Sequence, residues 1–212
     1  MAISVSPALS PARQAEEPAS TCLSTGNAPP AALAVGDLNG DQKLDIAFIT
    51  NMGTDVSVLL GNGSGGFSPG TTFVPFGGAT NPYVVATGDF NNDNKVDIAF
   101  TDLNNDQVLV ALGVGNGNFS VSSIAAVGLA PQGLALGDFN GDNKLDVVTA
   151  NALDNNVTVR LGDGMGGLLA AASYNVDSFP VKVSTADVNG DGKLDLMTVD
   201  QDGLALSLLL GD

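Results

Sequence analysis

Four times the chain spells almost the same nine-residue acidic loop: DLNGDQKLD from Asp37, DFNNDNKVD from Asp89, DFNGDNKLD from Asp138 and DVNGDGKLD from Asp187. The first Asp positions are 52, 49 and 49 residues apart, and other landmarks keep the same phase. A Pro stands seven residues before each (Pro30, Pro82, Pro131, Pro180) and a Gly 24 residues after it (Gly61, Gly113, Gly162, Gly211). Thirty residues after the first Asp come Phe67, Phe119 and Leu168, which close the Gly-rich stretches GNGSGGF, GVGNGNF and GDGMGGL. Several landmarks held in one register make each unit a structural copy, which restricts the chain to repeat architectures.

Within a unit the hydrophobic pattern predicts short strands. An apolar stretch precedes the loop, as in Ala32–Val35, and a nearly continuous apolar run follows it, as in Ile46–Ile49 or Val147–Ala150. Continuous runs imply strands covered on both faces. A polar turn, an alternating strand such as Val56–Leu60, the Gly-rich turn and a more variable fourth strand complete the unit. Four strands in about 50 residues is the size of a propeller blade. The expected fold is all-β: a small or partial β-propeller of four-stranded blades in four repeat units, about 28–75, 76–126, 127–176 and 177–212.

Residues 1–27 read differently. Pro, Ala, Ser and Glu dominate, and Met1 is followed by neither a basic stretch nor a continuous apolar one, so no signal peptide is recognisable. The segment is expected to be flexible apart from one candidate strand. Pro18 lies 12 residues before Pro30, as Phe119 and Leu168 lie 12 before Pro131 and Pro180. Ala19–Ser24 is therefore expected to supply the outer strand of the last unit, with both termini sharing a blade. Cys22, the single cysteine, has no partner thiol and no His anywhere in the chain, and reads as an incidental thiol.

The loops carry the chemistry. Ca²⁺ takes six to eight oxygen ligands, so it favours carboxylates, amide oxygens and a backbone carbonyl converging from a sharply turned segment. Positions 1, 3, 5 and 9 supply side chains: Asp37, Asn39, Asp41 and Asp45; Asp89, Asn91, Asp93 and Asp97; Asp138, Asn140, Asp142 and Asp146; Asp187, Asn189, Asp191 and Asp195. At position 7 the backbone carbonyls of Lys43, Lys95, Lys144 and Lys193 are the expected further ligands, the ammonium groups being left to solvent because a cation cannot ligate a cation. Position 4 (Gly40, Asn92, Gly141, Gly190) marks a tight turn. Position 6 (Gln42, Asn94, Asn143, Gly192) suits a left-handed backbone in three loops, with Gln42 the poorest fit.

An EF-hand shares the opening of the pattern but needs a bidentate Glu at position 12. Here that position holds Phe48, Phe100, Thr149 and Thr198. An ion-free Asx turn would account for one loop; four loops with three carboxylates each call for a cation. Of 23 acidic residues, 12 stand at positions 1, 5 and 9, where mutual repulsion would be severe without one. Up to four Ca²⁺ ions would change the formal charge from −16 to −16 + 8 = −8.

These residues resemble the FG-GAP/VCBS repeats, the Ca²⁺-binding blades of integrin α-subunit heads, of many secreted or surface-attached bacterial proteins and of some fungal lectins. The likeness spans about residues 28 to 212 and rests on the string g-D-f-N-G-D-x-K-x-D followed by v-x-v-L-x-G-x-G-x-G-x-F. It implies a β-propeller with Ca²⁺ in a loop between two strands of each blade. Integrin-type propellers have seven blades and this chain has four units. The expected arrangements are an open fragment of a longer protein, a closed four-bladed ring, or self-association of two chains to complete a ring.

No catalytic constellation accompanies the loops: His is absent, and no nucleophile elbow or phosphate loop appears. The Gly-rich stretches recur as hairpin turns rather than as phosphate cradles. The acidic balance disfavours nucleic acid as a partner, and no apolar run approaches the ~20 residues of a membrane helix, so no membrane insertion is expected. The chain thus reads as a non-catalytic, calcium-binding module for adhesion or for protein or glycan binding. Its expected setting is extracellular or at the cell surface, where Ca²⁺ is plentiful. The alternative is a structural scaffold or accessory domain of a larger secreted enzyme. The expected ligand-contacting surface lies opposite the metal loops, where variable inter-unit segments such as Phe73–Asn81 carry aromatic and polar residues.

Overall fold

The computed structural model describes residues 23, 29–50, 53–73 and 81–211, so the expected flexible segment 1–27, with its outer strand Ala19–Ser24 and Cys22, lies outside the described residues except at Leu23. Fifteen strands form four antiparallel meanders among these residues. The first sheet runs β1 (Pro30–Gly36), β2 (Asp45–Thr50), β3 (Val56–Gly61), β4 (Phe67–Phe73). The second runs β5 (Pro82–Gly88), β6 (Asp97–Asp102), β7 (Gln107–Gly113), β8 (Phe119–Ala126). The third runs β9 (Pro131–Gly137), β10 (Asp146–Asn151), β11 (Asn156–Gly162), β12 (Leu168–Asn175). The fourth has β13 (Pro180–Ala186), β14 (Asp195–Asp200) and β15 (Ala205–Leu209). The described residues contain no helix, hence none long and apolar enough to cross a membrane.

The continuous apolar runs occupy the second strand of each sheet, as their pattern predicts. Ile98, Ala99 and Phe100 of β6 are wholly buried because neighbouring sheets cover both faces. The outer strands β8 and β12 show many exposed residues. First strands gather side by side, β1 against β5, β5 against β9 and β9 against β13. The sheets are therefore blades radiating from their first strands, the arrangement of a propeller.

Three apolar cores weld successive blades. Val56, Val58, Val85, Ile98 and Phe100 join the first to the second; Val108, Val110 and Val147 the second to the third; Val157, Val183 and Leu196 the third to the fourth. Position 8 of the second, third and fourth acidic loops plugs the preceding blade at the residue just before that blade's own loop. A Cβ built on Gly36, Gly88 or Gly137 would meet Val96, Leu145 or Leu194 at 3.0, 2.3 or 2.5 Å. Among the described residues no corresponding core joins the fourth blade to the first, and β13 has no packing against β1 comparable to its packing on β9. The described residues form an open arc.

The end opposite the acidic loops holds a second repeated device, which the sequence reading missed. Asp106, the last residue of the β6–β7 turn, accepts the N–H of Ala130 in the connection to the third blade (2.8 Å), and Asn155 accepts that of Phe179 in the connection to the fourth (2.9 Å). Ala130 and Phe179 in turn accept the N–H of Ala152 and Gln201, both at 2.9 Å. Asp106 and Asn155 have φ of 52° and 53°, a left-handed conformation that Asp and Asn tolerate better than most residues. Phe73 packs on Phe100 and Phe119, with ring centroids 6.3 and 5.6 Å away. Residues 74–80 of the expected contact surface lie outside the described residues.

Candidate metal centre

Each acidic loop joins the first strand of a blade to the second. The backbone winds around the position-1 carboxylate: Asp37 accepts the N–H groups of Gly40, Asp41 and Gln42 at 2.8, 3.1 and 2.7 Å. Asp138 and Asp187 repeat this set with the corresponding residues, and Asp89 accepts from Asp93 and Asn94. At position 3 the Asn oxygen accepts the N–H of position 5, as in Asn39 to Asp41 at 2.9 Å, and position 5 accepts that of position 7, as in Asp41 to Lys43 at 3.0 Å. Asn91, Asn140 and Asn189 make the first of these bonds, and Asp93, Asp142 and Asp191 the second, in their own loops.

The winding requires two left-handed residues per loop, and all four loops have them. Position 4 has φ of 79°, 58°, 75° and 79°, and position 6 has 65°, 62°, 61° and 88°. Gln42 adopts the same conformation as its Asn and Gly counterparts despite its longer side chain. Its strain predicts that Gln42→Gly stabilises the chain by about 1 kcal/mol, since a non-Gly residue there costs about 1–2 kcal/mol. Urea denaturation of the two proteins checks it.

Position 9 plays a different part. Asp45, Asp97, Asp146 and Asp195 are wholly buried, and each carboxylate bridges two backbone amides. Asp97 accepts the N–H of Phe90 (2.7 Å) at position 2 and of Gly113 (2.8 Å) at the end of β7. Asp45 does so with Leu38 and Gly61, Asp146 with Phe139 and Gly162, and Asp195 with Val188 and Gly211. The Gly 24 residues after each first Asp is thus the far anchor of this bridge.

The lysines are not simply solvated. Lys43, Lys95 and Lys144 pair with the position-5 carboxylates of Asp41, Asp93 and Asp142 at 3.0, 2.9 and 3.2 Å. Their stems lie against Gly63, Gly115 and Gly164 of the Gly-rich turns. Lys43 and Lys95 hold the Asp41 and Asp93 carboxyls below the ordinary carboxylate value. For Asp142 burial opposes the shift, but the Lys144 N–H and ammonium outweigh it; Asp191 is lowered mainly by the Lys193 N–H. Burial pushes the Asp97 and Asp146 carboxyls up; the bridging N–H groups oppose this, and the charges of Asp89 and Asp93, and of Asp142 and Asp138, add to it.

A raised carboxyl takes up a proton more readily folded than unfolded, so acid favours the folded state until the unfolded chain is protonated too. A lowered one loses its stabilising contribution as pH falls below the unfolded value. In chelator the melting temperature is therefore expected to rise as the pH falls towards the ordinary carboxylate value of about 4 and to fall below it. Thermal melts across that range check it.

Every donor at positions 1, 3, 5 and 9 is a hard oxygen, the set suited to Ca²⁺ rather than to a softer metal. Each carboxylate oxygen retains acceptor capacity beyond a single N–H bond. Among the described residues no three carboxylates converge into a ready ligand group. The loops are pre-wound, and their carboxylates are engaged with backbone amides and lysines.

Blades radiating from their first strands, with one acidic loop per blade on a common end, define a repeat β-propeller. The family is specific: the FG-GAP-like repeat model matches residues 37–100, 89–149 and 138–198, and the chain belongs to that family. No curated protein matches it. Among solved structures it is similar to a lectin of Agrocybe aegerita that recognises non-reducing terminal N-acetylglucosamine (20% identity, 88% of this chain and 54% of that one, TM-score 0.54). It is also similar to a catalytically inactive virginiamycin B lyase from Staphylococcus aureus with quinupristin (12%, 88% and 57%, 0.54). A 6-phosphogluconolactonase-like protein from Bacteroides uniformis is a further neighbour (12%, 82% and 49%, 0.62). These likenesses show the fold alone, and the chain spans about half the length of each.

Proposed function

We propose that this chain is a calcium-binding, non-catalytic β-propeller module that recognises a protein or glycan outside the cell. The observation carrying the calcium reading is the fourfold recurrence of one oxygen-only donor loop, wound through two left-handed residues in every copy, including the copy with Gln42. An ion binding only the folded loops stabilises by mass action, about 2.7 kcal/mol at a hundredfold excess over Kd. Adding millimolar Ca²⁺ to the chelated protein is expected to raise the melting temperature by several degrees, and Asp93→Ala to reduce the number of bound ions by one in calorimetry. Superimposable melts with Ca²⁺ and with chelator would refute the assignment.

Recognition of a glycan is favoured by the Agrocybe aegerita lectin, a neighbour of the same fold. A glycan array that includes N-acetylglucosamine-terminated chains, run with Ca²⁺ and with chelator, tests this arm. Silence across the array by a folded, Ca²⁺-loaded protein supports the second reading, a scaffold or accessory blade set of a larger secreted enzyme. That reading draws on the lyase and lactonase-like neighbours, of which the chain spans about half.

A further inference from the structure

The two ends of the arc are unlike the joins within it. Leu206 is 76% exposed, yet its counterparts one repeat earlier, Val56, Val108 and Val157, are fully buried against the following blade. At the other end Leu33 is 61% exposed, while its counterparts Val85 and Val183 are 6% and 8% exposed against the preceding blade. Leu44, at the position where Val96, Leu145 and Leu194 plug the neighbouring blade, is also exposed. One end presents the outgoing half of a blade join and the other the incoming half.

Beside the outgoing end a groove of about 470 Å³ runs between the third and fourth blades, lined by Val159, Leu161, Ala172 and Tyr174 on one side and by Leu196 and Leu209 on the other. In the earlier joins an outer strand fills this place: Phe119 and Val121 of β8 pack into the first join and Leu168 of β12 into the second. A segment in matching register stands at the start of the chain. Residues 18–25, PASTCLST, end five residues before Pro30, as β8 and β12 end five before Pro131 and Pro180. Like β8 and β12, the segment is rich in small and hydroxyl side chains.

With only residues 26–29 between that strand and β1, the blade that takes the strand must have β1 against its first strand. β13 packs on β9 and has no comparable packing on its own chain's β1. We propose that copies of this chain dock head to tail: residues 18–25 of one copy add the outer strand beside β15 of another, and β1 of that incoming copy packs against β13. Such a contact is heterologous, so it closes into a ring or extends according to its rotation.

Two local features mark this join: the first separates it from the second and third joins, since in the first join the N–H of Asn81 goes to Asp102 instead, and the second separates it from all three. Where Asp106 and Asn155 accept the N–H of Ala130 and Phe179, the corresponding pair is Leu204 and Pro29. Leu204 offers no side-chain acceptor and proline carries no N–H, so the latch acceptor and donor are lost together and neither is stranded. Ala186 stands where Gly36, Gly88 and Gly137 receive the plug, so Leu44 seats less deeply and the docking is reversible.

The single cysteine gives a direct test. Its counterparts Ser123 and Ala172 pair across their sheets with Val110 and Val159, which sets Cys22 opposite Leu208. Cross-strand neighbours are within disulfide reach. Oxidised Leu208→Cys protein is expected to yield reducible species of two or more chains on a non-reducing gel, absent when Cys22→Ser is added. A disulfide closed within one chain, or no bond that depends on Cys22, overturns the proposal. Light scattering on the unmodified chain is expected to show at least twice the mass of one chain, falling to one chain on deletion of residues 1–27. Ala186→Gly is expected to tighten the assembly several-fold. A single-chain mass at every concentration overturns it, as does a full-size assembly after the deletion.

Discussion

Asp97→Ala is expected to remove about 2–6 kcal/mol of stability even in the presence of chelator, because it strands two buried N–H donors at about 1–3 kcal/mol each. Those donors belong to Phe90 in the acidic loop and Gly113 at the end of β7, and Asp97 is their shared acceptor. The loss is a large fraction of the ~5–15 kcal/mol that typically holds a domain together. Burial keeps the carboxyl's pKa raised, so part of the bridge's worth is already spent on desolvation. The contrast is Asp93→Ala in the same loop. That carboxylate is partly exposed and paired with Lys95, a solvent-screened ion pair that contributes little to stability. In chelator Asp93→Ala is expected to unfold at nearly the wild-type urea concentration, whereas Asp97→Ala unfolds far below it. Equal losses would mean that position 9 is no more structural than position 5.

This contrast also marks where the sequence was transparent. Period, strand order and the continuous runs of β6 and β10 follow from patterning alone, because burial on two faces leaves no polar alternation to misread. All twelve carboxylates at positions 1, 5 and 9 were legible as an acidic set, but their division of labour was not. Position 9 looks like another ligand in the sequence; its two amide partners come from position 2 and from a strand 16 residues on, a contact that only the folded meander creates. The lysines were misjudged for a related reason. Their charge argued for solvent, and the nearby position-5 carboxylate and the Gly-rich turn beneath the stem became visible only once β3 and β4 were paired. The latch of Asp106 and Asn155 escaped because Asp and Asn in a turn are unremarkable singly. Its signal was available in the shared place of the two residues, 17 after Asp89 and Asp138. Phe73 was assigned to a variable surface because length variation there hid its register with the core.

Gly162→Ala should be as damaging as the loss of a position-9 carboxylate, by a different route. A Cβ on Gly162 would lie 2.2 Å from the backbone oxygen of Leu145, an atom that no side-chain rotation can move away. Either the end of β11 or the acidic loop must shift, and both movements pull Gly162 from Asp146, whose carboxylate accepts its N–H at 2.8 Å. Overpacking alone typically costs about 1–3 kcal/mol, and a stranded buried acceptor adds about 1–3 more. Gly141→Ala separates space from conformation. A Cβ there meets nothing within 4 Å, but φ is 75°, so the expected cost is about 1–2 kcal/mol from backbone strain. Because Gly61, Gly113 and Gly211 face Leu44, Val96 and Leu194 carbonyls in the same way, at 2.1, 2.3 and 2.6 Å, the effect should recur in every blade. Urea midpoints for Gly162→Ala and Gly141→Ala in chelator decide it: similar losses would mean that the spacing of 24 residues reflects turn chemistry rather than the close approach of β11 to its loop.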